Sequence, residues 1–245
     1  MIRFDTNNYE YNKSSPIGVY IIHGFSNTTY EVKEIAKFLG DQGFHTIANN
    51  LPGHGTTVEE CNRVKYQMWI EHVMQDIANL ISISERTYVI GCSMGANLAL
   101  YLASIFPLNG CIVGGTVLKF NNPFTIHITN RLLCKIIKFS QKKIKNDSNI
   151  KYYGYSSYPL IALNEMRKLT RKVISKLPKV KSPLLIIHTE SDRLSLKENV
   201  DLVYDKTSSK IKQKFFIKHA HHNLFDENPD QEEIFNEVLK FISKH

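Results

Sequence analysis

The chain has few means of covalent or membrane anchoring. Its 245 residues include four cysteines, Cys61, Cys92, Cys111 and Cys134, and no two form a C-x-x-C pair. A chain of this length does not need disulfide staples, so free thiols are expected. No apolar run approaches the ~20 residues that a membrane helix needs. Met1-Ile2-Arg3-Phe4-Asp5 carries no signal-peptide apolar stretch. A reducing cytoplasm is therefore the expected address, with no stable membrane anchor and at most transient contact with a lipid surface. There is also no internal repeat, no low-complexity tract, no G-x-G-x-x-G and no Walker loop, which argues against the common nucleotide-binding folds. Acidic residues are the minority charge: 23 Asp and Glu stand against 31 Lys and Arg, for a net charge of +8. Such a surplus attracts anions whether or not binding them is a function. The lysines are spread along the chain, with one denser stretch at 135–151. Neither zinc-finger spacing nor a base-stacking module accompanies them, so nucleic acid is not an expected partner.

What is present is enough apolar material for a core: 42% hydrophobic against 22% charged residues. The length suits one domain, 1–245, with room for an insertion. Its N-terminal two thirds alternate between strand and helix signals. The apolar run 17–22 ends at His23-Gly24 and reads as a buried strand. Val32, Ile35, Ala36 and Leu39 then recur at helical spacing. Residues 44–48 read as a strand, Pro52-Gly53-His54-Gly55 as a loop, and Trp69, Val73, Ile77 and Leu80 as a helical stripe. Strands at 88–90 and 111–113 flank a helix at 96–106. This rhythm implies an α/β fold with a mainly parallel sheet covered by helices on both faces. It breaks over 118–178, where Leu132, Leu133, Ile136 and Ile137 are spaced as in a helix. Polar Asn146-Asp147-Ser148-Asn149 interrupts, and a second helical stretch covers 160–177. This region is expected to form a small helical cap. Strand signals resume at 184–188 and 215–217, and an amphipathic helix at 231–243 closes the chain.

Gly91-x-Ser93-x-Gly95 lies between an apolar strand and an Ala/Leu helix. In a nucleophile elbow the serine occupies a strained turn, and the following helix directs its positive end at it. A serine hydroxyl needs a base, and such sheets order their parts Ser, acid, His. The acid expected after strand 184–188 is Asp192, with Glu190 as its rival. After strand 215–217 come His219, His221 and His222. His222 is the expected base, because it opens the segment His222-Asn223-Leu224-Phe225-Asp226-Glu227, whose apolar middle can pack beneath an imidazole; His221 is the runner-up. A histidine cluster can also bind metal, but no matching carboxylate or cysteine group accompanies it, so no metal is expected. The backbone N–H groups of Phe25 and Met94 are the expected oxyanion donors, and the structural alternative for His23 is to orient its loop. In the cap, Phe120, Phe124, Leu132, Leu133, Ile136 and Ile137 are candidates for lining an acyl site, Phe124 and Ile136 foremost.

His23-Gly24-Phe25, Gly53-His54-Gly55, the elbow, Ile187-His188-Thr189-Glu190-Ser191-Asp192 and the segment from His222 to Glu227 together resemble the small bacterial carboxylesterases and monoacylglycerol lipases. The resemblance spans nearly the whole chain except 120–155, where substrate choice would lie. Ala220 departs from the Gly-His common in relatives, and Ala96 from a second glycine after the elbow. The resemblance implies an α/β-hydrolase fold, a cleaved carboxylic ester (short- to medium-chain or monoacylglycerol), an acyl-enzyme on Ser93, and neither metal nor organic cofactor. An acyl-thioesterase or lysophospholipase would use the same triad. A slow-turnover ligand receptor on the same fold is the alternative of another class.

Overall fold

The computed structural model describes residues 2–142 and 152–245. Its centre is a seven-stranded sheet of β1 (Tyr9–Tyr11), β2 (Ile17–Ile22), β3 (His45–Ala48), β4 (Arg86–Cys92), β5 (Gly110–Gly114), β6 (Leu184–Thr189) and β7 (Lys212–Ile217). The spatial order is β7-β6-β5-β4-β2-β3-β1. Every neighbouring pair is parallel except the edge pair β1–β3, where Tyr9 lies opposite Ala48. The helices of nine residues or more are α1 (Lys33–Asp41), α2 (Tyr66–Ile83), α3 (Met94–Ala103), α4 (Leu160–Lys176), α5 (Glu198–Lys206) and α6 (Gln231–Lys244) among the described residues. The α/β-hydrolase architecture expected from the sequence is the one observed.

Strand side chains alternate between the two faces of a sheet, and here both faces are buried. Tyr20 and Ile22 of β2 pack with Trp69, Val73 and Ile77 of α2, whereas Val19 and Ile21 pack with Ile35 and Leu39 of α1. The first face also carries α3 and Leu169 and Val173 of α4; the second carries Ile234, Val238 and Phe241 of α6. This explains why the strands read as unbroken apolar runs rather than as alternating ones. Helix α3 is buried along its whole length because it is enclosed between the sheet, α2 and α4. It therefore shows no amphipathic stripe.

Between β5 and β6 the chain leaves the sheet. Thr125–Asn130 forms a π-helical stretch that runs into a helical turn at Arg131–Leu133. Phe139–Gln141 then pairs antiparallel with Ser157–Pro159, which leads into α4. Among the described residues, this part of the expected cap is thus a helical run over 123–133 followed by a two-stranded ribbon. Leu132, Leu133, Ile136 and Ile137 are exposed rather than inward-facing. Asn146-Asp147-Ser148-Asn149 and residues 143–151 of the lysine-rich stretch lie outside the described residues. Among the described residues no helix is long and apolar enough to cross a membrane. All four cysteines are buried and free.

Candidate active site

Ser93 stands at the junction of β4 and α3 with φ 55° and ψ −113°. A non-glycine residue is strained there and persists only because its surroundings hold it. Close packing supplies the hold. A Cβ on Gly91 would lie 2.2 Å from the Gly95 carbonyl oxygen, and one on Gly95 would lie 2.1 Å from the Ile22 oxygen. Only glycine lets strand and helix approach so closely, which is the physical content of the Gly-x-Ser-x-Gly spacing. The Ser93 N–H donates to Gly114 O at 2.9 Å. Met94 opens α3, so its N–H has no acceptor within the helix.

The β6 turn delivers the acid. Asp192 Oδ2 accepts from His222 Nδ1 at 2.8 Å, and Oδ1 accepts the N–H groups of Leu194 and Ser195 at 2.8 and 2.9 Å. Burial by itself would raise the Asp192 pKa; the bonds from His222, Ser195 and Leu194 outweigh it and hold the carboxyl below its usual range. His222 Nδ1 is engaged by the carboxylate, which leaves Nε2 as the basic nitrogen. Glu190, the rival acid, is exposed, as are His219 and His221. The histidine cluster is thus divided. Among the described residues, no group of three or more His, Cys, Asp or Glu side chains converges as metal ligands.

The loop after β2 is held by two buried histidines. His23 Nε2 accepts the Leu51 N–H at 3.0 Å, so its proton resides on Nδ1, 2.9 Å from Gly24 O. His54 Nε2 accepts the Ser26 N–H at 3.1 Å. Burial pushes His23 down to about 4 and also lowers His54, which keeps both rings neutral and able to accept. A Cβ on Gly24 would lie 3.1 Å from Ser93 Cβ, so this loop rests against the elbow serine.

Glu31 is a residue that the motifs did not reveal. It is 1% exposed, accepts the Gly24 N–H, and lines the same cavity as Ser93 and His222. Seven residues beyond Gly24, at the start of a helical stretch, it resembles any solvated first-turn acid; only the tertiary fold turns it inward. Burial raises its pKa to about 7, against the opposing effects of the Gly24 N–H and His222. The unfolded carboxyl ionises near 4.3. Between these values the unfolded state loses its proton first, so stability falls as pH rises from about 4 to 7. Glu31→Gln keeps an acceptor for Gly24 without a charge. It should raise the melting temperature at pH 8 by several degrees more than at pH 4, and equal changes at both pH values would refute a buried, costly charge.

Ser93, His222 and Phe25 open onto one cavity of about 670 Å³. Its apolar wall includes Val117, Phe120, Ile126, Leu163 and Met166. One polar corner holds Lys142, whose Nζ donates to Ser26 Oγ at 3.0 Å and lies 4.9 Å from the Tyr158 ring centre. Burial lowers the Lys142 pKa to about 8. Of the expected acyl-site residues only Phe120 is in this wall. Phe124 and Ile136 are 69% and 79% exposed and are not among the residues lining the cavity. The helical spacing of this segment reports a solvent-facing stripe, not a lining.

The geometry has counterparts. The chain is 25% identical over 236 residues to the thermostable monoacylglycerol lipase of Bacillus sp. (strain H-257), covering 96% of this chain and 94% of the relative. It is 20% identical to the carboxylesterase of Bacillus subtilis (strain 168), covering 95% and 94%. A solved structure reported for LipS and LipT, two metagenome-derived lipolytic enzymes, superposes with a TM-score of 0.88 at 23% identity, covering 98% of each chain. The expected kinship to bacterial serine esterases is borne out. A family model, Hydrolase_4 (serine aminopeptidase, S33), matches residues 16–229, and the chain belongs to that family.

Proposed function

We propose that the protein is a serine esterase that cleaves short- to medium-chain carboxylic esters or monoacylglycerols. The reading is carried by one observation: the strained Ser93 and the His222–Asp192 pair open together onto a largely apolar cavity. His222 Nε2 takes the proton as Ser93 Oγ attacks the ester carbonyl. Asp192 keeps the imidazole in the Nδ1–H form and offsets its positive charge. The N–H groups of Phe25 and Met94 receive the tetrahedral oxyanion. His222 then protonates the leaving alcohol, and water attacks the acyl-serine by the same route in reverse. The chain functions as one domain, 1–245, with 118–178 as the cap over the cavity. Its free thiols suit a reducing cytoplasm.

The family's name includes an aminopeptidase, which must hold a substrate ammonium group. The cavity argues against that role here. Its polar corner carries the cation Lys142, and the Glu31 carboxylate is engaged by Gly24 N–H. An uncharged or anionic substrate fits this field better.

A hydrolysis screen of p-nitrophenyl esters of graded length tests the proposal, with aminoacyl arylamides as the competing substrates. Hydrolysis of the arylamides but not of the esters would overturn it. Leu163→Trp should report where the acyl chain lies, because Leu163 is only half-buried in the core and lines the cavity. Each buried CH₂ contributes about 0.8 kcal/mol, so displacing two of them lowers kcat/KM roughly tenfold. Decanoyl esters should therefore lose about tenfold relative to butyryl esters. A uniform change across all lengths would place the acyl chain elsewhere.

A further inference from the structure

The outer face of the cap combines two features that the esterase mechanism does not use. Seven of the fourteen large apolar residues exposed among the described residues fall within 124–139. In the same region acid is absent: no Asp or Glu occurs between Glu85 and Asp147. The two sides of the segment are distinct. Ile126, Asn130 and Cys134, four residues apart, turn inward, with Asn130 Nδ2 donating to Leu160 O at 3.1 Å. Phe124, Ile128, Leu132 and Ile136, at the same spacing, turn outward. Between them stand Arg131, Lys135 and Lys138, all exposed, and among the described residues none of the three is ion-paired. Beneath them Arg167 of α4 is buried with an unpartnered Nη1, and Arg171 and Arg131 crowd it with further positive charge.

We propose that this outer face docks on the surface of an anionic lipid bilayer. Apolar side chains interleaved with cations match an interface with a hydrocarbon interior and negative headgroups. A second copy of the chain fits worse, because face-to-face pairing would press like charges together with no acid within 124–139 to neutralise them. The face also continues into the catalytic cavity: Thr125 and Ile126 line the cavity and Phe124, beside them, is outside it. Docking would set the cavity mouth against the lipid. The biological sense of this rests on the esterase reading; the binding itself does not.

The test is co-sedimentation of the full chain with vesicles of phosphatidylcholine alone and of phosphatidylcholine mixed equally with phosphatidylglycerol. Binding to the mixed vesicles should be about tenfold tighter or more, and should weaken with salt. Ile128→Asp combined with Leu132→Asp, and separately Lys135→Glu combined with Lys138→Glu, should each lower it about tenfold or more. Both double variants should hydrolyse a soluble p-nitrophenyl ester as the parent does, since all four side chains lie outside the cavity. Wild type that ignores the mixed vesicles, or variants that bind them equally well, would overturn the proposal. So would ultracentrifugation showing that the aspartates dissolve a dimer while vesicle binding persists. A parent that binds vesicles but cleaves no ester would support the docking face and remove the esterase reading.

Discussion

Ser93→Ala is expected to abolish ester turnover, with a loss of about 10⁶ in kcat, as when the serine of such a triad is removed. The argument is geometric. Ser93 occupies a backbone conformation at φ 55° that costs energy and that Gly91 and Gly95 make sterically possible. A fold gains nothing from holding a serine in that state in the wall of a cavity unless the hydroxyl is used. Alanine tolerates this conformation no better and no worse, so the melting temperature should barely move. A fluorophosphonate should label the parent on this residue and leave the alanine variant untouched. A folded Ser93→Ala protein with undiminished activity would remove the whole mechanism. A rapid burst of product followed by negligible turnover in the parent would instead favour a slow ligand receptor.

The second large effect separates the histidines. His222→Ala is expected to lose activity nearly as completely as Ser93→Ala, because members of a triad act as a unit. His221→Ala and His219→Ala should stay within a few-fold of the parent, since both rings are exposed. Asp192→Asn should cost about 10⁴. Its amide would still accept the Leu194 and Ser195 N–H groups through Oδ1, but it would present N–H where His222 Nδ1 now donates. The imidazole would then carry its proton on Nε2 and be unable to accept from Ser93. The Asp192→Asn protein should fold and bind substrate yet turn over slowly at every pH. A dead His221→Ala beside an active His222→Ala would mean that the base has been assigned one residue out of register.

Much of the fold was legible because burial on both faces leaves a simple trace. Strands β2, β4 and β6 are short, β-branched and bounded by glycine or polar turns, so periodicity and punctuation agree. Strand β1 and helix α5 leave no such trace. Tyr9–Tyr11 is a three-residue antiparallel edge, and Glu198–Lys206 buries only Asn199, Val200 and Val203 against many charges. The cap misled for a different reason. A helical spacing of apolar residues says that they share a face but not which way the face points. Here it points outward, and the lining of the cavity comes from separate stretches of chain, such as Val117 after β5 and Leu163 and Met166 on α4.

The sequence by itself determined the order of the chemistry: a Gly-x-Ser-x-Gly turn, an acid after a late strand, a histidine after the last one. Those signals are local, since each depends on a strand ending in a particular turn. Whether His221 or His222 faces Asp192 is not local. The two are adjacent, and the 2.8 Å approach of His222 Nδ1 to Asp192 depends on where β6 and β7 bring two loops 30 residues apart. Glu31 is the same case, for nothing in its neighbours marks a carboxylate that will be enclosed beneath Gly24. Composition and spacing set which groups are available. Only packing decides which of them lose water, and loss of water is what raises Glu31 to about 7 and depresses His23 to about 4.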